Sequence, residues 1–291
     1  MQDAVDAVEA MLGATRAPKS DAAPKYDACM SAFVKTFRDA ARYTDASTFF
    51  RDFVALSFYA LYNSSERRPF GLWHTDNKAW QAHEDDYLRI VKKYDKEQVS
   101  ACSLLLAHVV NGLSDRWCDF LGAAYMALEI SNKNTGQFFT PYHLSQFIAG
   151  ITLPPADDRW EDRQRYLTVC DPACGAGSMP IAACEIIAQR DPTLLRRVYV
   201  ACTDVDIVCV RMCYIQLALL GVSAHVFHGN SLSMESYACF GTPALYLTGM
   251  AWCDVWGNDG TPRSETQTQL ATWAALHRAA AEHHGQYIAT Q

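Results

Sequence analysis

Three short stretches of the chain carry residues able to hold a small charged ligand. In "CDPACGAGSM" (Cys170–Met179) an acid, Asp171, precedes two glycines, Gly175 and Gly177. Glycines there remove side chains so that a ligand can approach the backbone, and a helix opening behind them offers unpaired N–H groups. "TDVD" (Thr203–Asp206) follows about 30 residues later, the spacing of one βαβ step. Its Asp204 can accept hydrogen bonds from two vicinal ribose hydroxyls, and Asp206 suits the N-cap of the next helix. In "GNSL" (Gly229–Leu232), Asn230 can meet an adenine edge; its plain alternative is an ordinary turn residue.

Together these describe a pocket for an adenosine-type ligand. The dinucleotide fingerprint G-x-G-x-x-G fails, because Ser178, Met179 and Pro180 follow Gly177. No phosphate-loop lysine follows either. An acid just before the glycines suits a cationic amine better than a pyrophosphate. S-adenosylmethionine carries both an ammonium and a sulfonium.

The elements needed to position these residues are legible. Strand patterns fall at Tyr166–Cys170, Arg197–Thr203 and Ala224–His228, each ending at one of the three stretches. Helical patterns separate them at Ser178–Arg190 and Asp206–Leu220. Repeated strand–loop–helix units predict an open α/β fold with a parallel sheet, and ligands in such sheets sit outside the carboxyl ends of the strands. The chain before Ser131 reads as helices: Asp3–Leu12, then, after a Pro-containing polar linker, Tyr26–Tyr43, Ser47–Tyr62, Asn77–Tyr94, Lys96–Leu113 and Asp115–Ile130. In the second of these five, Phe49, Phe50, Phe53, Leu56, Ser57 and Ala60 share a broad face with Asp52 off it, which reads as core. "SSERRPFG" (Ser64–Gly71) reads as a loop. Pro141–Ile151 forms a further helix, and Ser264–His284 another. The expected division is a helical domain, 1–130, and a ligand-binding α/β domain, 131–291.

Composition sets bounds. Half of the 291 residues are hydrophobic, enough for a real core. A net charge of −7 argues against a stand-alone nucleic-acid binder, which ordinarily carries a basic surplus. No run reaches membrane-spanning length and no signal peptide is read, so no membrane partner is expected. Eleven cysteines are scattered and odd in number, several in apolar runs (Cys102, Cys184, Cys209, Cys213), which fits buried thiols in a reducing cytoplasm. Cys170 and Cys174 bracket Asp-Pro-Ala, but no second Cys/His pair stands at zinc spacing. No metal site is expected.

"DPACGAGSM" resembles motif I of the N6-adenine DNA methyltransferases, in the form found in modification subunits of type I restriction–modification systems. "GQFFTP" (Gly136–Pro141) resembles that family's G-x-F-[FY]-T-P, and "DFLGAAYMALEI" (Asp119–Ile130) the helix placed before it. "TDVD" resembles the acidic motif and "GNSL" the family's G-D-x-L, with Asn230 where aspartate is usual. The resemblance implies a Rossmann-like S-adenosylmethionine-dependent methyltransferase sheet with S-adenosylmethionine as cofactor. It implies that Asp171, Pro172, Ala173, Cys174, Gly175, Gly177 and Ser178 form the cofactor loop, the glycine stretch lining the methionine portion. Phe138, Thr140 and Pro141 would support the pocket, Asp204 would take the ribose, and Asn230 the adenine amino group.

The resemblance breaks at the amino-group motif, [N/D/S]-P-P-[Y/F/W]. "LPP" (Leu153–Pro155) precedes motif I and lacks the polar head and the aromatic. "GTPALY" (Gly241–Tyr246) stands in the right order, but reads Thr-Pro-Ala-Leu and follows no recognisable strand. Thr242, Pro243 or Trp252–Trp256 remain as a divergent catalytic loop, and no catalytic residue is assigned. Three readings stay open: a diverged adenine-N6 DNA methyltransferase that reaches DNA through a partner subunit; an inactive pseudo-methyltransferase acting as a regulatory or anti-restriction module on a protein partner; and a methyltransferase for a protein or small molecule.

Overall fold

The computed structural model describes residues 25–66, 77–130, 139–153 and 167–247. The expected helices Asp3–Leu12 and Ser264–His284, Phe138, and Trp252–Trp256 lie outside those residues.

The first described part is helical. α1 (Tyr26–Ala40), α2 (Ala46–Glu66), α3 (Asn77–Val91), α4 (Lys96–Asp115) and α5 (Phe120–Ala127) follow in order. α2 runs on through Glu66, so the loop expected from Ser64 does not begin there, and the rest of that stretch lies outside the described residues. α4 opens with a capping box: Asp95 accepts from Gln98 N–H while Gln98 accepts from Asp95 N–H. The Gln98 amide also donates to Ala40 O and Thr44 Oγ1, tying α4 to the end of α1. The helix expected over Asp115–Ile130 is shorter: α4 runs on to Asp115 and α5 covers only Phe120–Ala127. Arg116 is extended (φ −153°), and Asp119 caps the new helix by accepting from Gly122 N–H at 2.8 Å.

α6 (Tyr142–Thr152) leads to the α/β part. There β1 (Leu167–Asp171), α7 (Ser178–Arg190), β2 (Val198–Asp204), α8 (Ile207–Leu219) and β3 (Ala224–Asn230) alternate as expected, with a short 3-10 turn at Pro192–Arg197. β1, β2 and β3 pair in parallel in that order. The expectation of a wholly parallel sheet needs one correction. A fourth strand, β4 (Glu235–Gly241), folds back antiparallel on β3, and a short helix α9 (Pro243–Leu247) follows. The two strands come close at Gly229, where a Cβ would stand 2.4 Å from Glu235 O and the register shifts.

α8 is buried on nearly every side, as expected of a helix apolar all round. It lies between the sheet and α2. Phe58 of α2 meets Tyr214 of α8 at 5.0 Å and Phe240 of β4 at 4.9 Å between ring centroids. α2 is likewise buried beyond its expected face: Val54, Ala55 and Phe58 are enclosed along with Phe49, Phe50 and Phe53. One hydrophobic core runs from Phe33 through Phe120 and Tyr214 to Phe240, so the helices and the sheet share it. Edge-to-face ring pairs such as Phe33–Phe53 and Phe33–Phe120, both at 5.6 Å, add about 0.5–1.5 kcal/mol each beyond their burial. No helix among the described residues is long and apolar enough to cross a membrane.

Candidate ligand site at the strand ends

The parallel register places the expected residues at one end of the sheet. Asp171 pairs with Cys202 and Asp204 with His228, so the β1–α7 loop, the β2 end and the β3 end are neighbours. The loop has the backbone its glycines permit. Gly175 (φ 54°) and Gly177 (φ 101°) both lie in the left-handed region, and Gly177 is the N-cap position of α7. Pro172 and Ala173 are exposed, whereas Cys174, Ala176 and Ser178 are buried.

Asp204 fastens this loop. Its Oδ2 accepts from Gly175 N–H and its Oδ1 from Asp206 N–H, each at 2.9 Å. One carboxylate thus sets the glycine loop against the end of β2. This structural role was not foreseen from sequence. Asp206 caps α8 by accepting from Val208 N–H at 2.8 Å, as its position suggested. Asp171 accepts from Ala173 N–H at 3.0 Å. Burial raises its pKa above the ordinary carboxylate value; the Ala173 N–H works against this and the neighbouring Asp204 adds to it. Two carboxylates therefore flank the loop, which favours a cation over a phosphate.

The "FTP" stretch braces the loop from the other side. Ser178 Oγ donates to Thr140 O at 3.3 Å and shares a buried hydrogen bond with Ser145 Oγ of α6 at 2.8 Å. Thr140 thus acts through its carbonyl, and Pro141 occupies the N-cap position of α6. The aromatic against the loop is Phe139: a Cβ on Gly175 would meet its ring at 3.4 Å, and the ring packs edge-on against Tyr125 at 5.3 Å.

A second brace reaches from the helical part. Gln216 of α8 donates to both Asp119 Oδ1 and Ala176 O at 2.8 Å, while its Oε1 accepts from Leu121 N–H at 3.0 Å. Burial raises the Asp119 pKa. Gln216 gave no sequence signal, since a lone glutamine in an apolar helix fits no ligand pattern.

Asn230 is committed to its turn. Its Oδ1 accepts from Leu232 N–H at 2.9 Å and Ser233 N–H at 3.3 Å. The acceptor that an adenine amino group would need is thereby engaged, which leaves the amide NH₂ as the face for a ligand. Thr242 is placed away from the site. Its N–H donates to Ala224 O, and its Oγ1 accepts from Ala224 N–H and donates to Val222 O. Ala224 begins β3 and Asn230 ends it, about 20 Å apart at strand rise. Thr242 thus stands at the start of β3, the opposite end of that strand from Asn230. A cleft of about 620 Å³ lies between α5 and α6, lined by Asp119, Met126, Tyr142, Gln146 and Glu185 among others, but not by Asp171, Gly175 or Asp204.

Residues 118–272 match the N-6 DNA methylase family, a span that contains every element of this site. The chain belongs to that family. Its described part is mixed α/β, a four-stranded mixed sheet with helices before it. Two solved structures are similar at low identity. One, from Listeria monocytogenes, is described as a class I S-adenosylmethionine-dependent methyltransferase (12% identity, 70% of this chain and 54% of that one, TM-score 0.34). The other is the type I restriction–modification system methyltransferase subunit from Streptococcus thermophilus (16% identity, 76% and 56%, TM-score 0.29). The chain spans about half the length of each. No curated protein matches it.

Proposed function

We propose that this N-6 DNA methylase family member binds S-adenosylmethionine at the carboxyl ends of β1, β2 and β3. The observation that carries the reading is the Asp204 carboxylate bridging Gly175 N–H and Asp206 N–H, with Asp171 on the other side of the same loop. A methionine ammonium and sulfonium complement this negative rim, and the exposed Pro172–Ala173 turn leaves the loop open to them. Asp171, Gly175 and Gly177 would receive the methionine portion and Asp204 the ribose. The Asn230 amide NH₂ would donate to an adenine ring nitrogen.

The reaction class that fits the family is methyl transfer to adenine N6 in DNA. We assign the described residues the cofactor half of that task. Amino-group acceptors and a stacking aromatic, needed to hold a flipped base, would be supplied by a partner subunit. The location of Thr242 at the far end of the sheet favours a second reading, a cofactor-binding regulatory module. One experiment separates them: transfer of labelled methyl from S-adenosylmethionine to DNA, measured for the chain alone and with its neighbouring gene products. Incorporation into adenine that depends on a partner supports the enzyme reading. Cofactor binding without transfer in every combination supports the module. No cofactor binding at millimolar concentration refutes both.

A further inference from the structure

The fold gathers three cysteines that are far apart in sequence. Cys174 sits in the β1–α7 loop, Cys202 on β2 and Cys213 on α8. Their sulfurs lie within 4.8 Å of one another, and all three residues are buried. None of the ten described cysteines is in a disulfide. Thiol packing alone does not require three sulfurs from three elements to meet at one point. A three-coordinate metal does. With metal–sulfur bonds of about 2.3 Å, a planar trigonal site separates its sulfurs by about 4.0 Å, so small side-chain shifts complete it.

We propose that Cys174, Cys202 and Cys213 form a binding site for one soft, thiophilic monocation of the copper(I) class. Soft thiolates select such ions. Among the described residues no His, Asp or Glu joins the three sulfurs, so zinc, which takes four ligands in closed sites, lacks its fourth donor. Charge balances with one deprotonation: the monocation enters, one thiol releases its proton, and a neutral thiolate–dithiol complex remains. The site lies directly behind the glycine loop. A Cβ on Gly177 would stand 3.1 Å from Cys213 Sγ, and Cys174 N–H donates to Thr203 O at 2.9 Å. A bound ion would therefore brace the loop to β2 and α8.

The test is anaerobic competition for copper(I) between the full-length protein and a chromophoric chelator. The wild type should withdraw one equivalent. Cys213→Ala and Cys202→Ala should weaken that equivalent on the order of 100-fold or more. Cys184→Ala, which removes a buried thiol outside the cluster, should keep it. X-ray absorption of the loaded wild type should show three sulfur ligands, a reading independent of how well the variants fold. Two-sulfur coordination, equal loss in Cys184→Ala, or no withdrawal by the wild type would overturn the assignment.

Discussion

Single residues set the site. Asp204 joins loop, strand and helix through two charge-assisted hydrogen bonds, each worth roughly 1.5–3 kcal/mol. Asp204→Ala should therefore lose both S-adenosylmethionine affinity and thermal stability, where loss of a ligand contact alone would lower only the first. Calorimetry and a melting curve on one sample distinguish the cases. Gly177 combines φ 101° with the close approach to Cys213. Gly177→Ala should cost about 1–3 kcal/mol of unfolding free energy, read from urea denaturation. Asp119 makes a pH prediction. Its pKa is raised in the folded state, so the folded protein binds this proton more tightly than the unfolded chain does. The stabilisation is complete below the ordinary carboxylate value and is lost as pH rises through the raised one. Asp119→Asn imitates the protonated acid. Its stability should fall less over that pH interval than the wild type's, and parallel stability–pH curves would refute this.

At the scale of elements, the legible parts were those whose chemistry is local. Apolar runs just before Asp171, Asp204 and "GNSL" marked three strands, and the register brings those ends together. Asp206 was legible as a cap because capping needs only the next turn of helix. β4 was not legible. "ESYACFG" mixes small, polar and aromatic residues without clear alternation, and it approaches β3 closely at Gly229, where a Cβ would meet Glu235 O. Gln216 and the three clustered cysteines were illegible for another reason: their partners are remote in sequence, and only packing brings them together. The residue after β4 also supplies a prediction. Thr242 Oγ1 holds the start of β3 on both its donor and acceptor sides. Thr242→Val leaves a buried N–H and a buried carbonyl without that partner, at about 1–3 kcal/mol for each group left unsatisfied. The urea midpoint should drop while affinity for S-adenosylmethionine stays near wild type; a selective loss of affinity would return Thr242 to the ligand site.

At the scale of the molecule, we expect that the isolated chain does not methylate duplex DNA at a useful rate. Extruding a base costs a few kcal/mol, and the net charge of −7 gives little help in gripping the backbone. Robust labelling of adenine by the chain alone, abolished in Asp171→Ala, would show the opposite. β4 also restricts how any later residue could contribute. A parallel strand would deliver the chain to the ligand end, but this antiparallel one carries it the other way. Gly241 lies opposite His225, at the start of β3. The seven residues of β4 span about 20 Å from end to end, so the chain leaves β4 that far from the loop end of the sheet, and reaching a ligand there from Gly241 would take a return of comparable length. A second polypeptide arriving at the loop edge has no such detour to make.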